Sequence, residues 1–304
     1  MPKIKYKELR VGARVMLVIE KANEIIADYQ RQGFSLTLRQ LFYAFVSRDL
    51  IPNSDTEYNK LGDIIDRGRL AGLIDWEAIE DRTRIVRENS HWSSPSEIID
   101  SAAASYKNDL WRNQKTRIEV FIEKDALIGV IEGVCRKHDV ACFSCRGYSS
   151  QSAMWRAAMR FSSYHRKAKQ KTVILHLGDH DPSGVDMTRD IQARLLLLSN
   201  DAPIEVKRIA LTMDQIRRYN PPPNPAKITD SRAKEYIEKY GDQSWELDAL
   251  EPQVLIALIE KHIKALRDDT VYARDYAKQE YDRKRLTAGA EQWNELDIKV
   301  DDDA

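Results

Sequence analysis

Cysteine is scarce in this sequence: only Cys135, Cys142 and Cys145 occur. A structural zinc site needs four ligands, and Cys142-x-x-Cys145 has no second pair to complete one. Both of those cysteines also fall on one predicted strand at odd spacing, hence on opposite faces, so buried or half-buried thiols are expected. Long apolar runs are missing too, and none approaches the length of a membrane span. Residues 1–14 have no apolar segment of the signal-peptide kind, so a cytoplasmic location is expected. Neither sign of charge is in excess, with 48 Lys and Arg against 48 Asp and Glu. A polyanion partner would then need a local basic surface, balanced by acid elsewhere. There is no Gly-x-x-x-x-Gly-Lys phosphate loop and no internal repeat.

What is present is surface charge, at 32% of residues with a mean hydropathy of −0.55. A soluble chain is expected, and 304 residues suffice for two domains. The chain is organised around Lys171–Asp190. Val173–Leu177 is short, apolar and β-branched at its start, which predicts a buried strand. It stops at Gly178-Asp179-His180-Asp181-Pro182. Asp179 and Asp181, two positions apart, are expected to point the same way, with Ser183 capping a helix from about Gly184. Acids past the carboxyl end of a strand sit where open α/β sheets place ligands. A divalent cation such as Mg²⁺, which takes one or two carboxylates plus water and phosphate oxygens, suits them; the alternative is a solvated Asp-Pro turn. Upstream, Arg117–Ile122 predicts a strand ending at Glu123-Lys124-Asp125. Ala126–Lys137 predicts a helix, Val140–Cys145 a strand, Ser150–Lys169 a helix and Pro203–Val206 a fourth strand. This alternation predicts an α/β fold with a parallel sheet, and it brings Glu123 to the edge that carries Asp179 and Asp181. Lys124 is placed to contact a phosphate. His176 reads as a core histidine, and His180 as either a phosphate contact or an exposed side chain.

Ahead of the sheet, Arg14–Gln32 predicts a long helix closed by Gly33. Thr37 caps a second helix whose apolar stripe is Leu38, Leu41, Phe42 and Phe45. A third helix runs from Asp55 or Thr56 to about Leu70, after a turn at Ile51–Ser54, and Leu73–Arg84 supplies a short wing. This order reads as a winged helix-turn-helix, with a small helical bundle as the alternative. Lys60, Arg67 and Arg69 on the third helix suit DNA phosphates. A second basic stretch, Trp155–Lys171, carries Arg156, Arg160, Arg166, Lys167, Lys169 and Lys171, with Trp155, Phe161 and Tyr164 among them. Tyr43 lies beside the stripe of the second helix, one turn after Arg39, and on its own reads as a half-buried tyrosine with a wet hydroxyl. The expected organisation is a winged-helix domain over 1–90, a linker over 91–116, a sheet domain over 117–250 and a helical extension over 251–304, with a disordered tail at Asp301–Asp303.

Two motifs carry a resemblance. Glu123 after one strand, with Asp179-x-Asp181 after another, resembles the Toprim domain of topoisomerases, bacterial primases and some nucleases. Thr37-Leu38-Arg39-Gln40-Leu41-Phe42-Tyr43 resembles the Thr-x-Arg-(acid or amide)-x-aromatic-Tyr segment in the family of the DNA-cleaving subunit of topoisomerase VI, which includes a meiotic double-strand-break protein. Phe121–Lys124 and Gly178–Gly184 are similar to further segments of that family, with Ser183 where it has Tyr. Cys145–Ser149 and Glu246–Leu250 are looser matches. The order, winged helix then Toprim, is also similar, and the length resembles the compact Mini-A form found on mobile elements. The resemblance implies that Tyr43 attacks a DNA phosphodiester and forms a 5′-phosphotyrosyl link. Arg39, a cation one turn away, would ease the ionisation of a phenol that is a poor nucleophile at neutral pH. Glu123, Asp179 and Asp181 would bind Mg²⁺ or Mn²⁺. The tyrosine of one protomer would meet the metal of the other in a homodimer that cuts double-stranded DNA symmetrically. Without a phosphate loop, ATP-driven strand passage would need a separate ATPase subunit. Two alternatives stay open: a Toprim nuclease that uses metal-activated water, with Tyr43 structural, and a non-cleaving DNA-binding protein of a mobile element.

Overall fold

Apolar residues at helical spacing form three helices in the first part of the chain: Ala13–Arg31 (α1), Leu38–Ser47 (α2) and Asp55–Leu70 (α3) in the computed structural model. The structure describes residues 3–31, 36–79, 89, 91–226 and 229–293. Thr37 starts α2 through a capping box, its hydroxyl taking the Gln40 N–H while the Gln40 side chain returns to the Thr37 N–H. Ser54 caps α3. The stripe expected of α2 is wider than four residues, because Gln40 to Val46 are all buried among α1, α3, Ile74 and Ile79. Residues 71–79 form a bend tied by single bridges of Ala71 to Lys5 and of Ile79 to Leu36, and no wing hairpin occurs among the described residues. Residues 80–84 of the expected wing, Gly33 and the Asp301–Asp303 tail lie outside the described residues.

The linker contributes Pro95–Ser105 (α4). Strands and helices then alternate: Thr116–Ile122 (β1), Ile128–Lys137 (α5), Ala141–Ser144 (β2), Gln151–Ala168 (α6), Lys171–Leu177 (β3), Pro182–Leu198 (α7) and Ile204–Ala210 (β4). The four strands are parallel in the order β2-β1-β3-β4, an α/β sheet as expected. The sheet is covered on both faces, so β1 is buried from Ile118 onward and β3 from Thr172 onward, Glu119 and His176 included. Met213–Tyr219 (α8), Asn224–Pro225 (β5), Ala233–Tyr240 (α9) and Gln243–Ser244 (β6) follow, β5 and β6 pairing antiparallel. Pro252–Leu266 (α10) and Asp269–Trp293 (α11) close the described chain.

One sheet face packs Ile118, Val120, Val173 and Leu175 against α5, α8 and α10. The other packs Phe121 and Ile174 against α6 and α7. Leu255, Ile259 and Ile263 of α10 are fully buried in the first of these cores, so α10 belongs to the sheet layer although it follows residue 250. Each such aliphatic contributes roughly 1.5–3 kcal/mol by leaving water. The helical core of α1–α3 is a separate cluster, and Ala249 packs against it while Leu247 and Leu250 sit in the sheet core. The strap Ser244–Leu250 therefore joins the two halves.

Candidate active site

The central pair β1 and β3 ends at one edge, and the residues just past it build the site. The Glu123 N–H still bonds to the Leu177 carbonyl at 2.9 Å, which extends the ladder by one rung. Glu123 Oε2 then accepts the Asp179 N–H at 2.8 Å. Room for this carboxylate depends on missing side chains. A Cβ at Gly178 would stand 2.9 Å from Glu123 Oε2, and one at Gly184 would stand 2.3 Å from the Asp179 carbonyl oxygen.

Asp179 and Asp181 do not share a strand face. β3 stops at Leu177, and both acids lie in the turn that follows. Asp181, not Ser183, is the N-cap of α7, its Oδ1 accepting the Gly184 N–H at 2.6 Å. A carboxylate outcompetes the hydroxyl there because a helix N-terminus favours negative charge. Asp179 turns toward the strap, its Oδ1 accepting the Leu247 N–H at 2.7 Å. His180 is neither exposed nor open to a phosphate. It is buried among Tyr236, Tyr240 and Trp245, and its backbone exchanges two hydrogen bonds with Trp245 at 2.8 and 3.0 Å. This bridge holds the strap against the Asp179–Asp181 turn. His176 is a core histidine as expected, with Nδ1 2.8 Å from the Thr188 hydroxyl.

Lys124 is not free to meet a phosphate. Its ammonium lies 2.5 Å from Glu246, 2.6 Å from Asp248 and 3.2 Å from Asp179. Arg39 reaches the same strap, 2.7 Å from Glu246 and 3.0 Å from Asp248. Its guanidinium stands 6.0 Å from the centre of the Tyr43 ring. Tyr43 is 5% exposed rather than half-buried, and Glu246 interacts with its hydroxyl.

Charge explains which protons are held. Burial, then Asp248 and Glu246, push the Tyr43 phenol well above its ordinary value. Burial opposes the charge on Lys124, but Asp248, Asp179 and Glu246 overcome it and hold the ammonium. Arg39 is held charged by Asp248 and Glu246 in the same way. Burial also opposes the Glu246 carboxylate, yet Lys124 and Arg39 pull it down to about 2. Asp179 goes the other way. It is the farthest of the three acids from the ammonium, so burial, reinforced by Glu123 and Asp248, pushes it up to about 8. Burial raises Glu123 too, with Asp181 adding to it.

Arg208, on β4, closes the turn from below. Its guanidinium donates to the carbonyls of Gly178 at 2.9 Å, Asp179 at 2.5 Å and Gly184 at 2.8 Å. Glu123, Asp179, Asp181, Glu246 and Asp248 thus face Arg39, Lys124 and Arg208. Five acids meet three cations there, and burial favours the protonated form of Asp179, so the excess of ionised acids is smaller than the count of side chains. Glu123 and Asp181 each spend one oxygen on a backbone N–H, which leaves each a second oxygen. Among the described residues no three His, Cys, Asp or Glu side chains are already arranged around a metal position. Carboxylate oxygens are the donor type that Mg²⁺ or Mn²⁺ takes.

Arg39, Tyr43, Tyr58, Asp179, Asp181 and Glu246 line one cavity of about 390 Å³. A neighbouring open cleft is lined by Glu123, Lys124 and Arg146, and it shares Arg39, Asp179 and Glu246 with the first. Tyr43 and its own chain's acids therefore meet inside one protomer, because the ion pairs of Arg39 draw α2 onto the strap.

The residues expected to meet DNA lie apart from this cavity. Lys60 is exposed and paired with Glu57 at 2.6 Å, and Arg67 is exposed on the same helix. Arg69 turns inward, where it donates to the carbonyls of Trp76 and Ile79 and stacks on the Trp76 ring, so it is a structural residue. In the second basic stretch Phe161 is core, Arg160 holds the buried Glu119 through two 2.7 Å bonds, and Lys171 pairs with Glu205. Trp155 remains 52% exposed.

Glu246, Asp248 and Arg208 are the site residues that sequence reasoning did not assign. Glu246-x-Asp248, next to Trp245, repeats the acid-x-acid spacing of Asp179-x-Asp181, a signal that stands in the sequence, whereas Arg208 shares β4 with Glu205 and Lys207 and is not singled out by pattern. Compared with known proteins, the chain matches no family model, and no curated protein matches it. Among the described residues no helix is long and apolar enough to cross a membrane.

Proposed function

We propose that this chain is a metal-dependent DNA-cleaving enzyme in which Tyr43 is the nucleophile, of the same type as the DNA-cleaving subunit of topoisomerase VI, with a winged-helix part followed by a Toprim part. One observation carries the reading: Tyr43, Arg39, Asp179 and Asp181 line a single cavity. Glu123, Asp179 and Asp181 would hold the divalent cation, which supplies stabilisation of the charge that builds on the phosphoryl and leaving oxygens. Arg39 supplies a fixed positive charge beside the attacking phenol. The Tyr43 oxygen bonds to phosphorus as the 3′ oxygen leaves and takes up the proton that the phenol loses, so the protein carries the 5′ phosphate and no water is consumed. Glu246 must give up the Tyr43 hydroxyl before this happens. Exposed Lys60 and Arg67 suit the flanking phosphates. Two copies would be required to cut both strands, and a separate ATPase subunit would be required for strand passage.

A second reading is favoured by one observation. The burial of Tyr43 against Glu246 suits a structural tyrosine, and then the same acids would serve a nuclease that attacks with water. Tyr43→Phe separates the two. With labelled duplex DNA and Mn²⁺, the tyrosine reading expects a covalent protein–DNA adduct that maps to Tyr43 and disappears in Tyr43→Phe. Cutting by Tyr43→Phe at the normal rate, with free ends, would replace the first reading by the second.

A further inference from the structure

Cys142 and Cys145 lie on opposite faces of the sheet, as their odd spacing predicts. Side chains alternate across a strand, and this alternation sorts the three cysteines. Cys142, on β2, points to the α5 face and packs against the core that holds Val134, Cys135 and Val140. Phe143 and Cys145 join the opposite core, under α6 and α7. Cys135 sits in the last turn of α5, and the chain reverses directly after it. The His138 and Val140 N–H groups both bond to the Cys135 carbonyl, at 3.2 and 2.9 Å, which folds β2 back along the helix. Cys135 and Cys142 consequently face the same core, and each thiol is the largest influence on the other's proton. All three cysteines are free thiols.

We propose that Cys135 and Cys142 form a dithiol–disulfide site that takes a two-electron oxidant of the peroxide class. Exposure divides the roles. Cys135 is fully buried, whereas Cys142 lies on an edge strand and is half-buried, so Cys142 meets the oxidant first. The Cys135 thiol donates to it and favours its thiolate, while burial opposes this. The Cys142 sulfur attacks one peroxide oxygen and breaks the O–O bond, giving a sulfenic acid and one water. The Cys135 sulfur then attacks the Cys142 sulfur and displaces the hydroxyl, which leaves as a second water with the Cys135 proton. Two thiols are oxidised by two electrons, and the peroxide is reduced to two waters. A dithiol reductant reverses the step by exchange. The bridge would fasten the far end of α5 to the sheet edge, at the opposite end of that helix from Glu123 and Lys124. This inference does not depend on the proposed DNA chemistry.

The test uses the folded, full-length chain and hydrogen peroxide, followed by alkylation of remaining thiols and non-reducing peptide mapping. The expected result is one cross-link between the Cys135 and Cys142 peptides, with the mass of the pair lowered by two hydrogens and restored by dithiothreitol. Cys145 should be alkylated only after denaturation. In Cys135→Ala, which lacks the second thiol, dimedone should label Cys142. The wild-type map alone decides the matter even where that variant fails to fold. Overoxidised or untouched Cys142 without a cross-link, a Cys142–Cys145 link, or a dimer through Cys142 would each overturn the proposal.

Discussion

Lys124→Met removes one ammonium and keeps most of the side-chain stem. Three carboxylates lose their shared partner, two of them at 2.5 and 2.6 Å. The Lys124 side chain is 18% exposed and that of Asp248 is 1% exposed, so water cannot replace the lost charge at Asp248. Removing one member of a buried ionic group costs about 3–5 kcal/mol. Protonation of Asp179, already favoured by burial, and Arg39, which still reaches Glu246 and Asp248, relieve part of this, which sets the expected loss at about 3 kcal/mol. At about 2–4 °C per kcal/mol for a chain of this size class, Tm should fall by roughly 6–12 °C. Scanning calorimetry in EDTA at neutral pH measures it. Lys60→Met is the control, since its exposed pair with Glu57 is worth less than about 1 kcal/mol. Added Mg²⁺ should then raise the Tm of Lys124→Met more than that of the wild type, because acids that have lost one of their two cations gain most from another. Equal Tm losses in the two variants would refute the assignment of Lys124 as the counter-ion of the strap. A variant indifferent to Mg²⁺ would refute the divalent site.

Further outcomes follow from single contacts. Gly184→Ala should destabilise by about 1–3 kcal/mol in urea titration, since its Cβ would meet the Asp179 carbonyl oxygen at 2.3 Å. Gly133→Ala, inside α5 with open space around it, should stabilise by about 0.5–1 kcal/mol. Arg160→Met strands the Glu119 carboxylate, whose side chain is 3% exposed, in the middle of β1. Chemical denaturation should register a loss of about 3 kcal/mol, the low end for a buried pair because Arg160 is itself 40% exposed. Replacing both partners by Leu should recover most of it. Burial holds His176 down to about 3 from 6.5, so below 6.5 the unfolded chain binds a proton that the folded chain refuses. The His176 contribution is therefore intact above 6.5 and is lost as pH falls toward 3. His176→Phe should flatten the decline of stability across that window, and an unchanged slope would remove His176 as its source.

The elements were legible where one residue type decides. Thr37 and Gln40 announce α2, Val173–Leu177 announces β3, and Gly178 marks where it stops. The convergence of Glu123 with Asp179 and Asp181 was legible because alternation of strand and helix implies a parallel sheet. Illegible were the contacts made across the order of the chain. Nothing local in Lys124 says that it will meet Glu246 and Asp248, and nothing in Tyr43 says that its hydroxyl will be covered by the strap. The orientation of Asp181 was misread because strand periodicity was extended past the last strand residue, where helix capping takes over. Arg69 and Arg160 were misread because a basic side chain shows its charge in the sequence but not the carbonyl or carboxylate it folds onto.

The strap also has a consequence in time. Arg39 and Glu246 are 207 positions apart along the chain. At a synthesis rate of about 5–20 residues per second, α2 leaves the ribosome roughly 10–40 s before the segment that covers it. During that interval Arg39 has neither Glu246 nor Asp248, and the Tyr43 hydroxyl faces water. The α1–α3 cluster must hold its shape on its own apolar core, caps and hydrogen bonds until the strap arrives. A nascent chain stalled before residue 244 would thus display Tyr43 uncovered, a state that the finished fold conceals.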